Sequence, residues 1–258
     1  MLIQEKATVG RYVSMKSEDR MRTHSSLFLY LVLFILIVYP LGAMAAESEN
    51  EPIMGNAAFI LTPQEIETLR DRSLENDPVA MFRLANYYAL VEDDHAESMI
   101  WLEKAAKAGH VIAQHNLAVS LLISSNLKDR TDSIHWFMQS AKQGDGSAML
   151  HLAEIYEAGD IIGKDDLEAK GWYEKAALAG GTTAMIKLAE YYSEGKGTPK
   201  DVVKAYTWII VAESRIHPES ITGKAIKNEK NKLAQFLSPA EISDAQNDYV
   251  RLSERICR

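Results

Sequence analysis

Ala148-Met149-Leu150-His151-Leu152-Ala153-Glu154-Ile155-Tyr156, followed after a short loop by Trp172-Tyr173-Glu174-Lys175-Ala176-Ala177 and then Gly180, decides the fold of this chain. The first stretch repeats small and apolar residues at Ala148, Leu152, Ala153 and Tyr156, one stripe at helical spacing. The second places Ala176 and Ala177 one turn after Trp172. Alanines let neighbouring helices approach closely, and the large rings fill the gaps between them. The glycine suits a left-handed cap that ends the second helix and opens a turn. The unit therefore reads as a pair of antiparallel helices.

Working outward, the same unit recurs. The four tryptophans are Trp101, Trp136, Trp172 and Trp208, spaced 35, 36 and 36, and none lies outside that series. Ala80, Ala113, Ala148 and Ala184 head the first helices, each followed four residues later by Leu84, Leu117, Leu152 or Leu188 and then directly by Ala85, Ala118, Ala153 or Ala189. Tyr88, Tyr156 and Tyr192 complete the stripe, with Leu121 substituting in the second unit, and Gly109, Gly144 and Gly180 close the first three units. Each tryptophan is expected to be largely buried. Asp77-Pro78 starts the first repeat, and Asp94-x-x-Glu97 and Asp165-x-x-Glu168 read as capping boxes for second helices.

These residues resemble the Sel-1-like repeat family, a relative of the tetratricopeptide repeats. The third unit carries the pattern best, through Ala148, Leu152, Tyr156, Gly159, Ala169, Trp172, Tyr173, Lys175, Ala176, Ala177 and Gly180. The likeness covers four units over residues 77–216 and implies an all-α, right-handed α-solenoid. Departures are visible: the family glycine after the leucine is alanine in every unit, and unit four ends without its glycine, with Pro218 beyond it. Thr62-Pro63-Gln64-Glu65 and Ser238-Pro239-Ala240-Glu241 are matching helix starts outside the array. They predict flanking helices near 63–75 and 239–254. A further helix near 221–237 is expected to bury Ile226, Leu233, Phe236 and Leu237 on one face and carry lysines on the other. Such helices cover the apolar ends of a solenoid. The organisation is thus an N-terminal region and signal over 1–45, a flexible linker over 46–61, a capping helix over 62–76, repeats over 77–216 and capping helices over 217–258.

The N-terminal region is an address. Residues 27–38 are an unbroken apolar run, preceded by Lys16, Arg20 and Arg22 and closed by Pro40, with Ala43-Met44-Ala45 at the positions a signal peptidase reads. Cleavage is expected after Ala45, placing the protein in the periplasm or outside the cell. The alternative is an inner-membrane anchor, because residues 27–46 are just long enough to span. The acidic stretch Glu47-Ser48-Glu49-Asn50-Glu51 argues for cleavage, and translation from Met21 would give a tidier basic region. No cysteine stands at the cleavage site to accept a lipid.

Composition excludes several functions. The 258 residues carry a formal net charge of −8, so phosphate backbones are repelled and nucleic acid is not an expected partner. A single cysteine, Cys257, cannot build a disulfide framework or a thiolate zinc site. His110, His115 and His151 fall in neighbouring units but lack metal-ligand spacing. Gly195-Lys196-Gly197-Thr198-Pro199-Lys200 lacks the phosphate-loop spacing and reads as a repeat turn, and residues 160–166 lack the ligand alternation of a calcium loop. No nucleophile elbow occurs. No catalytic residue, metal or cofactor is expected. Some cysteine-rich relatives of the repeat are linked to penicillin binding, but their cysteine pairs are absent here.

What remains is a curved surface. In the related tetratricopeptide arrangement the first helices line the concave side. The columns facing it here are Phe82, His115, Leu150 and Ile186; then Asn86, Val119, Glu154 and Glu190; then Ala89, Leu122, Glu157 and Ser193. The face is apolar along one edge and acidic in units three and four, which fits a docking groove for a basic protein partner. The resemblance implies a non-enzymatic binding scaffold. Signal-bearing relatives resemble immunity proteins against type VI secretion phospholipase effectors, so a lipase effector is one expected partner. An envelope component is the other, with the chain as an assembly or signalling scaffold. A cell-envelope hydrolase would need Glu154 and Glu157 as its carboxylate pair, and both read as solvated.

Overall fold

A computed structural model describes residues 61–256. The expectations for residues 1–45 and, apart from Leu61, for the linker over 46–61 lie outside the described residues. Within them the chain forms eleven helices and no strand. α1 (Pro63–Leu74) precedes four helix pairs: α2 (Pro78–Leu90) with α3 (His95–Lys107), α4 (Val111–Leu122) with α5 (Leu127–Lys142), α6 (Gly146–Ala158) with α7 (Asp166–Leu178), and α8 (Thr182–Glu194) with α9 (Val202–Glu213). α10 (Ile221–Ala234) and α11 (Pro239–Ile256) follow. Packing is densest inside each pair, and each second helix then meets the first helix of the next pair, which is the neighbour-only connectivity of an α-solenoid.

Two hydrogen-bond patterns repeat along the array. Between units, Gly109, Gly144 and Gly180 adopt φ of 94°, 93° and 93° and donate to the carbonyls of Ala106, Ala141 and Ala177. The next residues, His110, Asp145 and Gly181, donate one position further back, to Ala105, Ser140 and Ala176. That is a Schellman cap, and it needs a residue without a Cβ penalty at positive φ. Within units, the N–H of Asp94, Asp165 and Asp201 reaches the carbonyl of Tyr88, Tyr156 and Tyr192 at 2.9, 2.9 and 2.8 Å. The repeat tyrosine thus marks where the first helix hands over to the cap of the second. In unit two, with Leu121 there, the N–H of the cap residue Asn126 donates to Ser124 Oγ at 3.1 Å instead.

The outer caps form as read. Thr62 and Glu65 exchange side-chain and backbone hydrogen bonds, as do Ser238 and Glu241. Asp94 differs: it accepts from the Glu97 N–H, but the Glu97 carboxylate turns away to accept from Trp101 Nε1 at 2.9 Å. The indole competes for the same oxygen, so the reciprocal half of that capping box is lost.

The core columns hold the alanines and leucines of all four first helices out of solvent. The tryptophans divide, against expectation. Trp101 and Trp208 are buried, whereas Trp136 and Trp172 are half-buried. The column that is buried in every unit stands one residue later: Leu102, Phe137, Tyr173 and Ile209. Burying such a side chain stabilises by about 1.5–3 kcal/mol. Trp136 and Trp172 lie at seams instead, each packing against two successive core clusters. Lys175 Nζ sits 3.7 Å from the centroid of the Trp172 ring, so a cation also covers the indole, as Lys104 does for Trp101 at 3.9 Å.

At the C-terminal end α10 and α11 both pack on α9, burying Ile226, Leu233 and Ala245. Phe236 departs from the expected stripe and is 75% exposed. α10 stops at Ala234, so Phe236 stands in the following turn, off the helical face that buries Ile226 and Leu233. At the other end α1 packs on α2 through Leu69, with Arg70 donating to the Tyr88 hydroxyl at 2.6 Å.

Candidate binding surface

The first helices α2, α4, α6 and α8 carry the residues expected on the concave side. Phe82 is half-buried and stacks on His110, with ring centroids 4.4 Å apart. Asn86 and Val119 are half-buried, Val119 against the central core cluster. Leu150 and Ile186 are half-buried against the C-terminal cluster. The apolar column therefore contributes to packing between units and offers only part of each side chain to a ligand.

His115 is not a surface residue. It is 6% exposed, edge-on to Phe137 and beside His151, and its Nδ1 lies 2.8 Å from Asp145 Oδ2. Asp145 is the N-cap of α6, where its other oxygen accepts from the N–H groups of Ser147 and Ala148, and Ser140 Oγ donates to Oδ2 at 2.7 Å. Burial opposes the charge of Asp145, but the His115 contact, the Ser140 hydroxyl and the helix N–H groups outweigh it and hold the carboxyl at about 2. The α4 position that faces the groove in sequence spacing is thus spent on tying unit two to unit three.

The acidic set is also engaged. Glu154 is exposed, with His151 Nδ1 3.3 Å away. Glu157 was expected to be solvated; it is half-buried, accepting from the Tyr173 hydroxyl at 2.5 Å with Lys187 Nζ at 3.3 Å. Burial and the neighbouring Glu157 push the Tyr173 phenol far up, so it remains a donor. Glu190 pairs with Lys196 at 2.6 Å and with Lys187 at 3.6 Å. Burial works against its charge, yet the two lysines hold its carboxyl below the usual range. Sequence spacing missed the lysines that pair with Glu157 and Glu190. Lys187 lies three residues before Glu190 on α8, a helical neighbour legible in the sequence; Lys196 comes from a loop, and only the folded turn brings it there.

Among the described residues no group of three or more histidine, cysteine or acidic side chains is placed to hold a metal ion, and no helix is long and apolar enough to cross a membrane. A shallow, open depression between units two and three is lined by Leu122, His151, Glu154, Ile155, Ala158 and Ile161. Arg130 bridges to Asp160 across its mouth.

A linear array of helix pairs with glycine-capped junctions defines a helical repeat protein. The Sel1 repeat model matches residues 78–110, 111–145, 146–181 and 182–212, just over half of the chain, and the protein belongs to the Sel1 repeat family. Sel1 repeats generally serve protein–protein interaction and are typically non-catalytic. The chain is 29% identical over 120 residues to the uncharacterized protein YibG of Escherichia coli (strain K12), covering 44% of this chain and 78% of that one. Its fold is similar to a protective antigen present in uropathogenic Escherichia coli strains that displays an SLR fold. That match has a TM-score of 0.60 and 22% identity, and covers 74% of this chain and 41% of the antigen. It is also similar to a Sel1 repeat protein from Oxalobacter formigenes, with a TM-score of 0.53 and 26% identity over 59% of this chain and 64% of that one. The chain thus spans less than two thirds of either solved structure.

Proposed function

We propose that this chain is a non-enzymatic scaffold of the bacterial envelope, exported by its N-terminal segment, that binds a protein partner on the concave face of the repeats. In its particular role it would act as an immunity protein, occluding a type VI secretion phospholipase effector. The observation that carries the reading is the row of partly exposed apolar side chains, Phe82, Leu150 and Ile186, set on a rigid four-unit array beside the exposed carboxylate of Glu154. Because Glu157 and Glu190 are compensated by lysines, steering of a basic partner falls mainly to Glu154. Charge chiefly sets the association rate and buried apolar anchors chiefly set dissociation.

The test starts with capture of the partner from the envelope fraction and its identification, followed by binding kinetics. Glu154→Lys should slow association, and Phe82→Ala should speed dissociation by an amount equivalent to about 1–3 kcal/mol. A lipase effector supports the immunity role. A partner that binds both variants as it binds the wild type would place the site off the concave face. N-terminal sequencing of the exported protein should begin at Ala46.

A further inference from the structure

The first helices of the four units begin on different caps. Asp77 and Asp145 head α2 and α6 and accept from the N–H groups two and three residues on, whereas α8 begins on Gly181 with no side-chain cap. α4 begins on His110, whose Nδ1 accepts from the Ala113 N–H at 3.2 Å. Every other side-chain cap among the described residues comes from Asp, Asn, Ser or Thr. A hydroxyl or amide oxygen accepts at any pH, and an aspartate does so down to the acid range of carboxylates. A histidine nitrogen accepts only while the ring is neutral.

The His110 ring is half-buried and stacked on Phe82, with centroids 4.4 Å apart. Its backbone is fixed on both sides, the N–H donating to Ala105 and the carbonyl accepting from Gln114, each at 3.0 Å. A proton on Nδ1 would point a second N–H at the Ala113 N–H. It would also set a positive charge at the N-terminus of α4, where the unpaired N–H groups favour a negative one. The charged groups around the ring compensate little. Asp77 favours the protonated form, but Arg72 already holds that carboxylate at 2.6 Å. Lys107 on α3 is paired with Glu103, and α5 sends the uncharged Gln143 to the Gly109 carbonyl. Burial outweighs Asp77 and holds the ring below the ordinary histidine value.

We propose that His110 is a proton-sensitive cap at the junction of units one and two, neutral when the first turn of α4 is closed and charged when that turn opens. The folded state prefers the neutral ring. The cap therefore contributes fully above the unfolded histidine value and is lost as pH falls through the folded one. The response is local. The equivalent cap of α6, Asp145, has its carboxyl held at about 2 and stays in place while His110 titrates, so acid loosens the start of α4 and leaves the start of α6 closed. No partner protein enters this switch, so it stands or falls apart from the concave-face reading.

The experiment is an NMR titration of the full chain from about pH 8 to about pH 4.5, which brackets the histidine range. At the alkaline end the ring nitrogens of His110 should report the Nε2–H tautomer, and the ring should titrate below the value it shows in the urea-unfolded chain. Protection of the Ala113 amide, corrected for intrinsic exchange at each pH, should fall about three- to tenfold with the same midpoint, the range that loss of a side-chain cap sets. His110→Asn supplies an acceptor that does not titrate and should keep Ala113 protected throughout. His110→Ala supplies none and should leave Ala113 as poorly protected at every pH as acid leaves the wild type. The Ala148 amide, capped by Asp145, is the internal control and should hold its protection. An Nδ1–H tautomer, or a titration at or above the unfolded value, overturns the proposal. So does Ala113 protection that is indifferent to pH, or that falls equally in the asparagine variant.

Discussion

Asp145→Asn isolates the contact that ties unit two to unit three. Asparagine can still accept from the Ser147 and Ala148 N–H groups, so the α6 cap survives, while the charge facing His115 and Ser140 is lost. The Asp145 side chain is 13% exposed, so solvent screening discounts little of its interaction. Its carboxyl is held at about 2, against an ordinary value of 3.8. At about 1.4 kcal/mol per unit, this is worth about 2 kcal/mol of stability at neutral pH. The native value is the lower one, so the contribution is complete above the unfolded value and declines as pH falls towards the native one. Roughly half should be gone by about pH 3. Urea denaturation of wild type and variant at pH 7 and near pH 3 reads the difference directly, and subtraction removes the other carboxylates common to both. The gap should narrow in acid. A gap that is absent at neutral pH, or constant across the range, would refute the role assigned to this carboxylate. Because the contact spans two units, hydrogen exchange in the variant should quicken in both α4 and α6.

Two further substitutions test the packing. Phe137→Ala empties a fully buried site and should cost about 3–5 kcal/mol, whereas Trp172→Ala, half-buried under Lys175, should cost less despite deleting a larger ring; equal losses by denaturant titration would put the seam tryptophans in the core after all. Gly109→Ala meets open space at φ 94° and should cost about 1 kcal/mol of backbone strain, while Gly159→Ala would bring its Cβ to 2.4 Å from the Lys164 backbone nitrogen and should lower the melting temperature considerably further.

The array itself was legible because each unit writes the same local instructions. Ala148, Leu152 and Tyr156 are neighbours on one helix, so their burial follows from 3.6-residue periodicity alone. Gly109, Gly144 and Gly180 announce positive φ, and Thr62 with Glu65 announces a cap, because those effects act over four or five residues. Residues whose partners lie about thirty positions away were not legible in that way. His115 occupies a groove column by spacing, yet Asp145 draws it inside. Glu157 looks like part of an acidic face until Lys187 arrives from α8, thirty positions on.

Trp172 shows the boundary most clearly. The sequence determined that a large ring recurs every 35 or 36 residues on the second helix, and therefore that helix pairs stack. Whether that ring is covered depends on what the neighbouring units place over it, and in the middle units Phe137 and Tyr173 are fully buried while Trp136 and Trp172 stand half-buried at the seams. Phe236 follows the same logic, since one early helix end turned an expected core residue into the most exposed aromatic of the described chain. Periodicity is a local property and survives in the bare sequence; seam and exposure arise only when neighbouring units compete for the same space, and tertiary packing alone decided them.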